Sequence, residues 1–344
     1  MGECYVDFRG LNRLADEGLG EHDIIRLIQK RLTLMPDMPV PFGDDISAAP
    51  LFEGEVAVLK TDMLVATTDV PAGMSLFSAA RKAVVMNISD FAAKGVMPSA
   101  VLVALGLPKA LATQGAVTEI ADGLNAGARE YGTYIVGGDT SEASDLIISI
   151  SLFGTAKPSA LMLRSGARVG DIVAVTGLFG KTAAGLRLLV GDYKASAKQR
   201  SVLVDSVFNP KARLREGLAL RGYNYVSASI DSSDGLAWSL HELARMSNVG
   251  FLIDKVPIAS EAEEFALKNG LDAVELAFYG GEEYELVLTV KPEKWGEAKA
   301  VVDAVGGCLI PIGKATFEKQ VMLKKDGKKR AVEARGWEHL KTKL

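Results

Sequence analysis

The sequence predicts an α/β or α+β protein made of two domains, each a mixed sheet with helices. Three observations lead there. Strand-like alternation and helix-like apolar spacing follow one another along the whole chain, and a weakly periodic stretch with Pro, Gly and Ser interrupts them near the middle. A length of 344 residues also suits two domains better than one.

GLGEHDIIRLIQKRL (18–32) places Ile24, Ile25, Leu27 and Ile28 at helical spacing, with Leu32 a turn further on. EGEVAVLKTDMLVA (53–66) alternates as a strand should. SLFSAARKAVVMNISDFAAKG (75–95) reads as a long helix stopped by Gly95. A strand at 99–106, a helix over about 109–131, and strands at 133–137 and 145–155 complete a first domain, 1–155. TAKPSALMLRSGARVGD (155–171) is the crossover. The second domain, 156–344, opens with the strand DIVAVTG and a mostly helical region from about 180 to 220. YVSASID (225–231) is a strand, DGLAWSLHELARMSN a helix and GFLIDKV another strand. A strand–helix–strand set then runs from Tyr284 to a hairpin at Lys325–Lys329.

Hydrophobic residues make up 48% and charged residues 24%, which fits a protein with a real core. A formal net charge of -4 argues against a broad basic surface for nucleic acid. Cys4 and Cys308 are the only cysteines, and His22, His241 and His339 are scattered, so neither a disulfide framework nor a zinc cluster is expected. The setting expected is reducing and cytoplasmic. The N-terminus, MGECYVDFRGLNRLADEG, is charged where a signal peptide needs an apolar core. No run approaches the roughly 18 apolar residues of a membrane helix. No membrane partner is expected.

A glycine-rich phosphate loop is the first thing to look for. TGLFGKTAAG (176–185) leads from a strand through Gly-Lys-Thr into a helix, but a Walker A loop would need glycine at position 175, where Val175 stands. The stretch reads instead as a turn into a helix whose free amides can meet an anion. The acidic stretches say more: GDD (43–45), KTDM (60–63), NISD (87–90), GGDTSEASD (137–145), DSSDG (231–235) and GGEEYE (280–285). Taken singly, each has an ordinary reading: Asp44 as a turn residue, Asp90 as a polar helix position, Asp139 as a cap after Gly138. Taken together, they place carboxylates beside Gly, Ser or Thr at strand or helix ends six times. Magnesium takes hard oxygen ligands, usually one or two carboxylates with water and phosphate oxygens. Several carboxylates in one cleft would repel one another without cations. Magnesium is the expected resident cation if they converge.

GEHDIIRLI, PFGDDISA, KTDMLVATTDVP, KAVVMNISDFAAKGVMP, YIVGGDTSEAS, LRSGARVGD, VTGLFGKTAAGL, SIDSSDGL, YGGEEYELVLTV and RGWEHL follow in collinear order over nearly the whole chain. In content and order they resemble the family of thiamine-monophosphate kinase, aminoimidazole ribonucleotide synthetase, selenophosphate synthetase and a hydrogenase-maturation factor. KTDMLV and MNISDFAAKG favour the thiamine-phosphate branch. The resemblance implies two domains of the aminoimidazole ribonucleotide synthetase-like fold, a homodimer through the N-terminal sheets, ATP as co-substrate, several magnesium ions and thiamine monophosphate as acceptor. It implies that Asp45, Thr61, Asp62, Asp90, Asp139, Asp231 and Asp234 hold metal. Lys60, where a hydroxyl residue often stands, would join them through its main-chain carbonyl. Gly138, Arg164 and Ser233 would meet the nucleotide. Glu282 and Trp337 would lie at the thiamine end, where a carboxylate and an aromatic face suit a cationic planar ring. Asp69 aligns with a substrate-contacting histidine of bacterial members, and Glu283 replaces an aspartate.

The reaction this implies is direct in-line transfer of the γ-phosphoryl group of ATP to an acceptor that is already an anionic phosphate, so no side-chain base is expected. Two alternatives stand beside it. One is a sibling enzyme of the family, although the chain ends HLKTKL without a terminal cysteine, and Cys4 lacks a glycine-rich lysine context. The other is a sensor or scaffold that binds metal and nucleotide without turnover, which would have no need of the whole carboxylate set.

Overall fold

The computed structural model describes residues 20–33, 35–338 and 340. The N-terminal segment with Cys4, residues 18–19 of the expected first helix, and His339 lie outside the described residues. The described residues before 37, with 338 and 340, form one unit, and residues 37–337 another. In the first unit, α1 (Glu21–Gln29) carries Glu21 and Asp23 in its first turn and Arg26 in its last, as the helix dipole favours.

The second unit holds both sheets. Its first half runs β1 (Ser47–Pro50), β2 (Val56–Val65), α2 (Ala66–Asp69), α3 (Leu76–Lys94), β3 (Ala100–Leu107), α4 (Gln114–Glu130), β4 (Ile135–Glu142) and β5 (Ile147–Ala156). The strands order as β1-β2-β5-β3-β4, and only the β3–β4 pair is parallel. Its second half runs β6 (Ile172–Val175), α5 (Lys181–Val190), α6 (Ala197–Phe208), α7 (Leu214–Leu220), β7 (Val226–Asp231), α8 (Leu236–Ser247), β8 (Gly250–Ile253), α9 (Ser260–Asn269), α10 (Ala273–Tyr279), β9 (Leu286–Val290), α11 (Trp295–Ala304), β10 (Ile310–Thr316), β11 (Val321–Lys325) and β12 (Lys328–Ala331). This sheet orders as β12-β11-β8-β10-β6-β9-β7 with only β8–β11 parallel. Both sheets are mixed, as the alternating pattern predicts. The short β1 and α2 and the helices α9 and α10 were not anticipated. β4 runs further than the expected 133–137, because its exposed GGDTSE stretch lacks the apolar alternation that marks a half-buried strand.

Helix α3 organises the unit. Ser75 caps it by accepting from the Ser78 amide, and Gly95 ends it in the left-handed region at φ 67°. Between these, nearly every residue from Ala79 to Lys94 is buried. Small residues let neighbours come close: a Cβ on Gly123 of α4 would stand 2.2 Å from the Phe77 carbonyl oxygen. One on Gly217 of α7 would stand 1.9 Å from that of Ala92. α3 therefore sits with α4 on one side and α7 on another, and also contacts β2, β5 and β7 of the two sheets. Gly123→Ala should lower unfolding stability by about 2 kcal/mol through overpacking. A denaturant midpoint equal to the parent's would mean that α3 and α4 separate freely.

Candidate functional site

Three of the acidic stretches meet in one buried place. Asp45 follows a turn in which Gly43 takes φ 99°, a conformation that favours glycine. Asp90 stands on the buried face of α3, and Asp231 ends β7. All three are buried, and carboxylate oxygens of the three lie within 4.8 Å of one another. Burial, with repulsion from Asp231, Asp45 and Asp62, holds the Asp90 carboxyl well above its usual range against the pull of Lys60. Burial and the neighbouring Asp45 push Asp231 up to about 6, although the Ser89 hydroxyl donates to it at 2.7 Å. Asp45 goes the other way: burial would raise it, but Arg164 and Lys94 outweigh burial and bring it below the ordinary value.

The cations are built in. Lys94, fully buried, lies 2.7 Å from Asp44 Oδ1 and 2.7 Å from Asp45 Oδ2, and donates to the Ser229 carbonyl at 2.7 Å. Arg164 donates from Nε to Asp45 Oδ1 at 2.7 Å, and its Nη2 reaches the same oxygen. Its amide donates to Asp44 Oδ2 at 2.9 Å. Lys60 reaches in from β2, with Nζ 2.9 Å from Asp90 Oδ2 and 3.9 Å from Asp62 Oδ2. Burial disfavours that ammonium, but Asp90 and Asp62 overcome the cost and hold its pKa above the ordinary lysine value.

A second group adjoins these elements. Lys82 of α3, 1% exposed, lies 2.5 Å from Glu282 Oε1 and donates to the Asp69 carbonyl at 2.9 Å. One ammonium thus joins two residues expected at the substrate end. The Glu282 amide donates to the Ser233 carbonyl at 2.6 Å, and the Trp337 amide to that of Asp234 at 3.1 Å. Ser233, Asp234, Glu282 and Trp337 are therefore neighbours in three loops. Glu282 and Tyr284 both sit at positive φ, 63° and 52°, a strained backbone of the kind found at ligand sites.

Thr61, Gly138 and Asp139 lie elsewhere in the chain. Asp139 is on the edge strand β4, in register with Ala104, Ser149 and Met63 across the sheet. Thr61 shares that outward face with Leu102 and donates to the Ile150 carbonyl at 3.0 Å. Gly138 is held as glycine by close backbone approach, since a Cβ there would stand 1.9 Å from the Val103 carbonyl oxygen. Lys82 and Lys94 went unremarked in the sequence. Their signal was two lysines in a helix with no polar face, one of them four residues after Asp90.

The donor set fits a hard divalent cation: three buried carboxylates, with the buried Ser232 hydroxyl beside Asp231 lacking a hydrogen-bond partner among the described residues.

Residues 43–156 match the AIR synthase related protein, N-terminal domain, and residues 168–325 its C-terminal domain. The chain is 35% identical to the thiamine-monophosphate kinase of Nitrosopumilus maritimus over 325 residues, 94% of this chain and 99% of that one. It belongs to the thiamine-monophosphate kinase family. The Bacillus subtilis thiamine-monophosphate kinase is 31% identical, over 94% of this chain and all of that one. The solved structure of AaThiL complexed with AMPPCP and TMP superposes with a TM-score of 0.81 at 30% identity, covering 94% of this chain and 97% of that one. Escherichia coli HypE, a hydrogenase maturation protein, shares the fold at a TM-score of 0.69 and 23% identity, over 93% of this chain and 98% of that one.

In this member of the kinase family, the amides of the helix that follows TGLFG are already engaged by a side chain of the chain itself. Glu283 accepts from the Gly180 amide at 2.6 Å and the Thr182 amide at 3.1 Å, at the start of α5. Glu285 is likewise engaged, accepting from Thr176 Oγ1 at 2.7 Å and Arg213 Nε at 2.7 Å. The GGEEYE stretch thus sends Glu282 toward Lys82 and spends its other two carboxylates on packing. Burial pushes Glu283 from 4.5 up to about 7 despite the two amides. Between those values the carboxyl is protonated in the folded chain and ionised in the unfolded one, so stability falls as pH rises through that window. Glu283→Gln keeps an acceptor oxygen and removes the ionisation. Unfolding midpoints of parent and variant should diverge from pH 4.5 to 8, the variant gaining on the order of 3 kcal/mol. A gap that stays constant with pH would contradict this.

Proposed function

We propose that this chain phosphorylates thiamine monophosphate with ATP, giving thiamine diphosphate and ADP. The observation that carries the reading is the meeting of Asp45, Asp90 and Asp231, drawn from both halves of a chain that aligns with thiamine-monophosphate kinases over nearly its full length. The relative solved with AMPPCP and TMP supports the same pair of ligands here.

The acceptor is already an anion, so the chain's task is to bring two anionic groups together. Asp45, Asp90 and Asp231 would hold magnesium, with Asp234 as a further oxygen donor and with Asp139 and Thr61, on the outward face of the first sheet, as donors across a pair of chains. Bound there, magnesium would neutralise the phosphates and the charge that develops during in-line transfer. Arg164 sits against Asp45 with its side chain one-fifth exposed, which suits a guanidinium that also meets a nucleotide phosphate. Ser233 and Gly138 contribute to the nucleotide site. Glu282, Asp69 and Trp337 form the thiamine end: Lys82 fixes the Glu282 carboxylate, and Trp337, 39% exposed, offers a ring face.

The division at residues 155 and 156 is retained as two domains. A second copy completes the assembly. Leu59, Met63, Leu102 and Phe153 are exposed on the outward face of the first sheet, an apolar patch suited to pairing with itself. Asp139 projects from that face, so in such a dimer it serves the pair rather than its own triad. Among the described residues no helix is long and apolar enough to cross a membrane.

With MgATP and a panel of phosphorylated acceptors, ADP should appear with thiamine monophosphate and the product should have the mass of thiamine diphosphate. ATP binding without turnover would favour the sensor, and ADP with another acceptor a sibling enzyme. Asp90→Asn should lower turnover by at least ~100-fold while moving the metal-free thermal midpoint by only a few degrees. Unchanged turnover would take Asp90 out of the site. Trp337→Ala should raise the KM for thiamine monophosphate and leave that for ATP alone; equal effects on both would make Trp337 a packing residue.

A further inference from the structure

Lys60 stands where an extra cation would be expected. Five carboxylates crowd the site, Asp44, Asp45, Asp62, Asp90 and Asp231, and three side-chain cations face them: Arg164, Lys94 and Lys60. Glu242, 3.8 Å from Arg164, is matched by Arg245 at 2.7 Å, so it does not alter that balance. With all five ionised, as metal binding requires, the excess of two negative charges is what one divalent ion neutralises. Removing the Lys60 charge leaves an excess of three.

Geometry agrees with the charge. The Lys60 side chain is mostly buried and lies on the face of β2 that looks toward α3, in register with the buried Leu152. Its ammonium is in hydrogen-bonding range of Asp90 Oδ2 at 2.9 Å and leans toward Asp62. Magnesium binds a carboxylate oxygen at about 2.1 Å. An ion on that same Asp90 oxygen would press against the ammonium in a site where water screens little.

We infer that the Lys60 ammonium is a resident substitute for one divalent cation between Asp62 and Asp90. The chain therefore holds one metal ion fewer than its oxygen donors allow. This rests on the metal-binding part of the proposed function. With Lys60 in place, Asp90 shares its second oxygen with Asp45 and Asp231, and Asp62 is released from metal holding. The side chain of Lys60, rather than its carbonyl, is what the site uses.

The test counts ions. Full-length parent, Lys60→Met and Lys60→Arg are titrated with Mn2+ in the presence of AMPPCP, and free Mn2+ is followed by electron paramagnetic resonance. Lys60→Met keeps the apolar stem and loses the charge, so it should bind one more Mn2+ per chain than the parent. Lys60→Arg should match the parent. Without metal the Met variant should melt lower than the parent, and saturating Mn2+ should raise its thermal midpoint more. Should Lys60→Met prove unfolded, Lys60→Gln, neutral and of similar length, is read the same way. Equal Mn2+ counts in the parent and the neutral variant would overturn the substitution while leaving the metal site standing. Absence of Mn2+ binding in every form would overturn both.

Discussion

The contact of Lys94 with Asp44 and Asp45 is the constraint on which the site depends. The lysine comes from α3, the two aspartates from the loop before β1, and the Ser229 carbonyl that shares the ammonium from the second sheet. Breaking a buried pair on one side typically costs about 3–5 kcal/mol because a charge is stranded. The loop carrying Asp45 is thereby fixed against β7, and Asp45 against Asp231. Arg164, on the segment linking the halves, seals the same loop from outside. Asp45 and Asp90 are positioned by ammonium and guanidinium groups that the chain itself supplies, and Asp231 by the Ser89 hydroxyl.

This accounts for how an acidic protein can handle phosphates without a glycine-rich phosphate loop. The helix start that most resembles such a loop is closed by Glu283, and Glu285 is held by Arg213 and Thr176. Anions are left to the carboxylate-rich cleft and to whatever cations reside there. Lys82 extends the scheme to the other end, where it bridges the α2 terminus and the Glu282 loop.

Much of this was legible in the sequence. Alternation and helical spacing located β2, α3, β7 and α8, because each buries one face or all faces against a sheet. The acidic stretches holding Asp45, Asp90 and Asp231 stood out because carboxylates beside small and hydroxyl residues recur along the chain, while the choice of these residues as metal ligands came from the family resemblance. Lys82 and Lys94 could not be weighed the same way. A lysine in a helix ordinarily points to water, and only the depth of α3 reveals that these two do not. The outward direction of Thr61 and Asp139 depends on strand register and order, which pairings between distant strands decide. The role of Glu283 was hidden for a similar reason: its partners, the amides at the start of α5, are about a hundred residues away.

Helix α3 touches β2 and β5 of one sheet and β7 of the other, and nearly all of it is buried. Neither half of residues 37–337 can therefore be cut free and remain what it was. A fragment ending after β5 would bare the side of α3 that α7 and β7 cover, with Lys94 turned out into water. One buried helix thus serves as the common wall of both halves.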